Sequence, residues 1–174
     1  WWRGMRAALI FAHPGHELRV HHWMEPAKPL VLVLTDGSGH LGVGRLDRTA
    51  EVLAGAGARS SAAFFGKMAD RDLYRAILTG EAETFQQLVD EMTTILADEA
   101  IDYVAADAVE GFNPGHDVCR LLVNAALARL RGQNGIELPN LEFPLEADAL
   151  RRETEAPGGI ELHLDAAAFD RKLG

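Results

Sequence analysis

Three histidines stand just beyond two apolar runs of this chain. Ala7–Ala12 ends in His13-Pro14-Gly15-His16-Glu17, and Tyr103–Ala106 is followed by Asn113-Pro114-Gly115-His116-Asp117. Neutral imidazole is the commonest protein ligand for metals. Three imidazoles meeting at one rim of a sheet give a facial set with open positions for water, the pattern of catalytic zinc. A lone histidine more often caps a helix or bonds a turn; the repeated Pro-Gly-His after two predicted strands is what favours one composite metal site.

The elements that must position these residues follow from periodicity. Ala7–Ala12, Leu30–Thr35 and Tyr103–Ala106 are continuous apolar runs, too short to span a membrane and read as buried strands, with Ser61–Phe65 as a further one. Helical patterns cover Glu17–Met24 (stopped by Pro26 and Pro29), Arg45–Ala56, Asp72–Leu78, Ala82–Glu99 and Asp117–Leu130. Asp36–Gly44 carries four glycines and reads as a loop. Strand alternating with helix predicts a single-domain α/β fold over residues 1–174, a Rossmann-like three-layer sandwich with a mainly parallel sheet. The metal site is expected at the C-terminal ends of its strands. Past Gly132 the pattern weakens: Leu141–Pro144 and Ile160–Leu164 read as edge strands around the polar segment Glu146–Gly159, before a helical Ala166–Leu173. That helix stops at Gly174 without a cap, which suggests a truncated chain, and Met5 reads as a better start than the two leading tryptophans.

Composition narrows the partners. A hydrophobic content of 48% with 25% charged residues describes a folded globular chain. A formal charge of −9 opposes a nucleic-acid backbone or an anionic membrane as partner. No segment approaches the roughly 20 apolar residues of a spanning helix, and the N-terminus lacks the small-residue cleavage site of a signal peptide. One cysteine, Cys119, excludes an internal disulfide and leaves the cytoplasm as the default compartment. Cys119 lies three residues after His116 and reads as core, with a fourth metal ligand as the other reading. His21 and His22 read as solvated or interfacial, His163 as structural and Trp23 as core or interface. GSGHLGVG misses the dinucleotide spacing G-x-G-x-x-G.

On these residues the chain resembles the PIG-L/LmbE superfamily of zinc-dependent de-N-acetylases, whose first strand ends in His-Pro-x-x-Glu. LVLVLTDGSG is similar to that family's second strand and Thr-x-Gly loop, and RTAEVLAGAG to its Arg-x-x-Glu helix. GKMADRDL resembles its Gly-x-x-Asp segment, DAVEGFNPGH the stretch bearing its last histidine, and LDAAAFDRKL its closing helix. The resemblance implies a metal-dependent hydrolase that removes an N-acetyl group from an amino-sugar-like or other small polar substrate. By position it gives His13, His16 and His116 as ligands of Zn²⁺ or another divalent transition metal. The usual motif is His-Pro-Asp-Asp-Glu, so Gly15 stands at the general base, Asn113 at a second catalytic histidine and Gly115 at an acidic residue.

The His₂Asp set thereby becomes His₃, which is expected to leave the metal charge uncompensated and its water more acidic. Asp36, Glu17, Asp107 and Asp117 are candidates for a replacement base or a supporting partner, Asp36 first because it ends the adjacent strand. Asn113 is expected to donate to the oxyanion. Arg48, His40 and Asp107 are expected to meet substrate, although Arg48 could equally pair with Glu51 on the surface. Two further readings stay open: redox or other chemistry at a His₃ iron, copper or nickel site, and a pseudoenzyme or binding module. Oligomerisation is open as well.

Overall fold

The computed structural model describes residues 2–145, 160 and 162–173. Five strands form one sheet: β1 (Ala7–Phe11), β2 (Leu30–Thr35), β3 (Arg59–Met68), β4 (Tyr103–Asp107) and β5 (Asn140–Phe143). Their order is β3-β2-β1-β4-β5, and every neighbouring pair is parallel. The helices are α1 (His21–Ala27), α2 (Leu46–Ala56), α3 (Asp70–Thr79), α4 (Ala82–Asp98), α5 (Pro114–Asn134) and α6 (Ala166–Leu173). This is the α/β three-layer sandwich that the sequence predicts.

Residues of β1, β2 and β4 are buried along their whole length, which is why they read as unbroken apolar runs. Alternate side chains serve two cores. Ala8, Ile10, Leu32, Leu34 and Val104 pack against α4 and α5 through Leu88, Met92, Val123 and Ala126. Leu9, Phe11, Val31, Val33 and Tyr103 pack with Trp2, Trp23, Met24, Leu53 and Ala56 on the side of α1 and α2. No described helix is long and apolar enough to cross a membrane.

Several boundaries move. β3 is longer than Ser61–Phe65 and only partly buried, and its register against β2 shifts twice, as edge strands often do. The Glu17–Met24 helix is instead a 3₁₀ turn over His16–Val20 followed by α1, which continues through Pro26. α5 begins at Pro114, three residues before the predicted start, because Asn113 caps it and proline suits a first helical turn. β5 takes in Leu141–Phe143 of the predicted Leu141–Pro144 edge strand, with Pro144 outside it, whereas Ile160 and residues 162–164 form no strand. The polar segment 146–159 lies outside the described residues. His21, expected in solvent or at an interface, is buried, and His22 is half-buried beside Glu25.

β1 lies between β2 and β4, and the chain leaves it toward β2, so the sheet's connectivity reverses between β1 and β4. Both Pro-Gly-His elements emerge at that crevice, where open α/β sheets commonly bind ligands.

Candidate metal centre

The end of β1 is tied to both neighbours. The Ala12 N–H donates to Asp107 Oδ2 at 2.8 Å, while the Ala12 carbonyl accepts from the Thr35 N–H at 2.9 Å and the Thr35 hydroxyl at 3.0 Å. Just beyond it, Gly15 adopts φ +108°, a conformation that favours glycine and turns the chain back so that His16 opens the 3₁₀ turn. Buried Glu17 fixes this bend by accepting from the Gly15 N–H at 2.8 Å and the Thr49 hydroxyl at 3.0 Å. Beyond β4, the Asn113 side chain accepts the Gly115 N–H at 2.9 Å, and α5 starts with His116 in its first turn.

The three predicted histidines come together. Ring centroids are 5.5 Å apart for His13 and His16, 5.2 Å for His13 and His116, and 4.6 Å for His16 and His116. An imidazole held about 2.0–2.1 Å from zinc has its centroid about 3.2 Å away, so two at the tetrahedral angle lie about 5.2 Å apart. The observed separations bracket that value.

Each ring also has its Nδ1 toward a carboxylate. His13 Nδ1 lies 2.9 Å from Asp70 Oδ1 and 2.7 Å from the Thr35 hydroxyl. His16 Nδ1 lies 3.0 Å from both oxygens of Asp107, and His116 Nδ1 lies 3.4 Å from Glu110 Oε2. Such partners fix ring tautomer and orientation and leave Nε2 as the nitrogen open to a further partner. Gly115 supplies the space: a Cβ there would sit 2.9 Å from His13 Nε2. Among the described residues no group of three or more His, Cys, Asp or Glu side chains is arranged to hold a metal ion as it stands; the ring spacing and the carboxylate behind each ring are the observations a metal reading rests on.

Electrostatics favour the neutral form of His13 and His116. Burial lowers the His13 pKa, Asp70 opposing it and the two other imidazoles reinforcing it. Burial and His16 lower that of His116. For Asp70 burial works the other way, but the Gly39 N–H and the His13 imidazole hold its carboxyl below the ordinary range. The expectation of uncompensated metal charge changes accordingly. An anion stands one layer out from the three rings, as Asp107 behind His16.

The remaining predicted residues divide clearly. Asp107, expected to meet substrate, is fully buried and committed to Ala12 and His16. Asp36 accepts the Ser38 N–H at 2.9 Å and shapes its own loop. Asp117 accepts the N–H groups of Glu110 and Gly111, shaping the loop before α5. Arg48 and His40 are exposed. Cys119 is buried in the core, and desolvation pushes its thiol pKa well up.

Sequence reasoning missed three groups. Asp70 opens α3, although it lies inside the segment that carried the Gly-x-x-Asp likeness. Glu110 also accepts the Leu145 N–H at 2.7 Å, tying the site to the chain beyond β5. The Tyr74 hydroxyl donates to Asn113 Oδ1 at 3.0 Å, and burial together with Asp70 raises its pKa. With two donors on Oδ1, the Asn113 amide has its NH₂ on the other side.

A groove of about 400 Å³ lies elsewhere, between α4 and α5. Among its lining residues only Arg129 is ionisable, so the groove offers no acid–base or ligand chemistry to rival the histidine rim. Compared with known proteins, the chain matches no family model, no curated protein and no solved structure.

Proposed function

We propose that His13, His16 and His116 hold a divalent transition metal, zinc first, and that the protein is a cytoplasmic hydrolase of an N-acyl bond, such as an N-acetyl group on an amino-sugar-like substrate. The observation that carries this reading is the trio of imidazoles at ligand-like separations, each backed on Nδ1 by a carboxylate. The resemblance to PIG-L/LmbE de-N-acetylases supplies the reaction class. When bound, zinc supplies a Lewis acid and an acidified water.

The chain's own residues do the rest. Asp70, Asp107 and Glu110 keep the rings oriented and their Nδ1 protons in place. The Asn113 NH₂, fixed by the donors on its oxygen, is the group suited to an oxyanion. Of the candidate replacements for a general base at Gly15, Glu17 accepts from Gly15 and Thr49, and Asp36 from Ser38. Loss of a positioned base typically costs about 10²–10⁴-fold, so slow turnover is expected. These commitments also favour a second reading, a metal-binding module without turnover.

Elemental analysis of protein purified without chelator, coupled to acetate release from N-acetylated sugars, tests the proposal. The expected result is about one equivalent of zinc with slow, chelator-sensitive release. Zinc without release on a broad panel points to the binding module, iron, copper or nickel to the redox alternative, and metal-free protein with unchanged activity overturns the metal reading.

A further inference from the structure

We infer that the main chain of Leu145 latches the two histidine elements together, so that metal occupancy and the seating of Leu145 control each other; this rests on the metal reading above. Both backbone groups of Leu145 meet side chains. Its N–H donates to Glu110 Oε1 at 2.7 Å, and its carbonyl accepts from the Arg19 guanidinium. The approach is set by β5, which ends at Phe143 with its carbonyl accepting the Ala108 N–H at 3.1 Å. Leu145 follows two residues later and is buried.

The two side chains belong to different elements. Arg19 lies in the 3₁₀ turn that His16 opens. Glu110 lies on the loop between β4 and α5, and its other oxygen, Oε2, stands 3.4 Å from His116 Nδ1. One line of polar contacts therefore runs from the His16 turn through Arg19, Leu145 and Glu110 to His116. The rings at its two ends are the closest pair of the three, with centroids 4.6 Å apart, and a metal ligated by both needs that spacing held. Only 3% of the Glu110 side chain is exposed, so its contacts act in a low-dielectric setting where hydrogen bonds are strongest. Linkage makes the effect mutual: a latch that tightens metal binding is tightened by the metal by the same factor.

The test is zinc competition with a chromogenic chelator, together with amide exchange at Leu145, both on the full chain. Arg19 is exposed, so Arg19→Ala leaves folding intact. It should weaken zinc binding about fivefold or more, and in the unmutated chain zinc should slow exchange of the Leu145 N–H by a similar factor. Glu110→Gln keeps an oxygen for the Leu145 N–H but loses the acceptor facing His116, and should weaken zinc about 10- to 100-fold. In that background Arg19→Ala should cost nothing further and zinc should no longer slow Leu145 exchange, because the line is already cut. Unchanged zinc affinity in Arg19→Ala, additive losses in the double variant, or Leu145 exchange indifferent to zinc each overturns the latch and leaves the metal reading standing. An unmutated chain that takes no zinc from the chelator overturns the metal reading, and the latch with it.

Discussion

The two Pro-Gly-His elements share three residues and little backbone. In the first, Gly15 needs positive φ, and the turn delivers histidines on either side of the dipeptide. In the second, Gly115 is helical, Pro114 occupies the first turn of α5, and Asn113 is the cap. One tripeptide thus serves as a strained bend after β1 and as a helix start after β4. What the two have in common is the outcome, a histidine at the crevice with its Nδ1 toward a carboxylate. The shared letters therefore mark a shared destination rather than a shared local structure.

The largest effect expected from breaking this pair is loss of metal. His13→Ala and His116→Ala should each reduce bound zinc to background by elemental analysis, because two histidines no longer make a zinc site. Their stabilities should differ. His13→Ala leaves buried Asp70 without its imidazole, at a cost of about 1–3 kcal/mol. In His116→Ala, Glu110 loses only a long contact and keeps the Leu145 N–H, so melting should change less. Equal destabilisation would show that the carboxylates do not distinguish the two elements.

Asn113 belongs only to the second element and has two roles that substitution can separate. Asn113→Asp keeps an oxygen for the Gly115 N–H and Tyr74 hydroxyl but removes the NH₂, so stability should hold while acetate release falls about 10²–10³-fold. Asn113→Ala should lose the release and also about 1 kcal/mol of helix cap, read by thermal melting. If Asn113→Asp releases acetate normally, Asn113 is a cap and nothing more.

The sequence was legible where signal is local. β1, β2 and β4 announce themselves because burial on both faces leaves no polar residue to interrupt them, and the histidines because they follow those strands directly. Periodicity marks only part of β3 because an exposed edge strand has no clear period. The apolar period of α5 sets in only after its first turn, and its true start is marked instead by Asn113-Pro114, a standard helix opening. The supporting carboxylates were the hardest. Asp70 and His13 are 57 residues apart, and their pairing depends on β2 and β3 lying beside β1, which no local pattern reports. Asp36 looked the better partner because it ends a strand, yet its carboxylate closes onto Ser38.

The glycines offer the cleanest exchange between the two elements. A Cβ on Gly15 meets no atom within 4 Å, so Gly15→Ala has room and suffers only from its backbone. It should cost about 1 kcal/mol, a fall of about 2–4 °C in Tm at this chain length, with zinc retained. Gly115→Ala is the converse. Alanine is the better helical residue, but its Cβ would lie 2.9 Å from His13 Nε2. Zinc affinity should drop about 10- to 100-fold with Tm little changed. The reverse result, metal lost at Gly15 and stability lost at Gly115, would invert the roles assigned to the two elements.

The smallest effect expected is one the two elements share. Burial holds His13 and His116 below the ordinary histidine pKa of 6.5, so on acidification the unfolded chain takes up these protons before the folded one. Metal-free protein should then keep this stability in full above about 6.5, lose it as the pH falls through that value, and lose no more once the folded-state pKa values are passed. Asp70 acts in a separate, more acidic window. Its folded pKa lies below the ordinary 3.8, so its contribution is lost only as the pH falls past that value. Thermal melts of chelated protein from pH 8 to pH 5 should show the first loss, weakened in His13→Ala and again in His116→Ala. Because both rings are neutral when buried and neutral when ligating, zinc should steepen this dependence: acid must then displace the metal as well as protonate the rings. A pH-independent Tm in the metal-free protein would mean that the rings are as readily protonated folded as unfolded, and would overturn the lowering assigned to their burial.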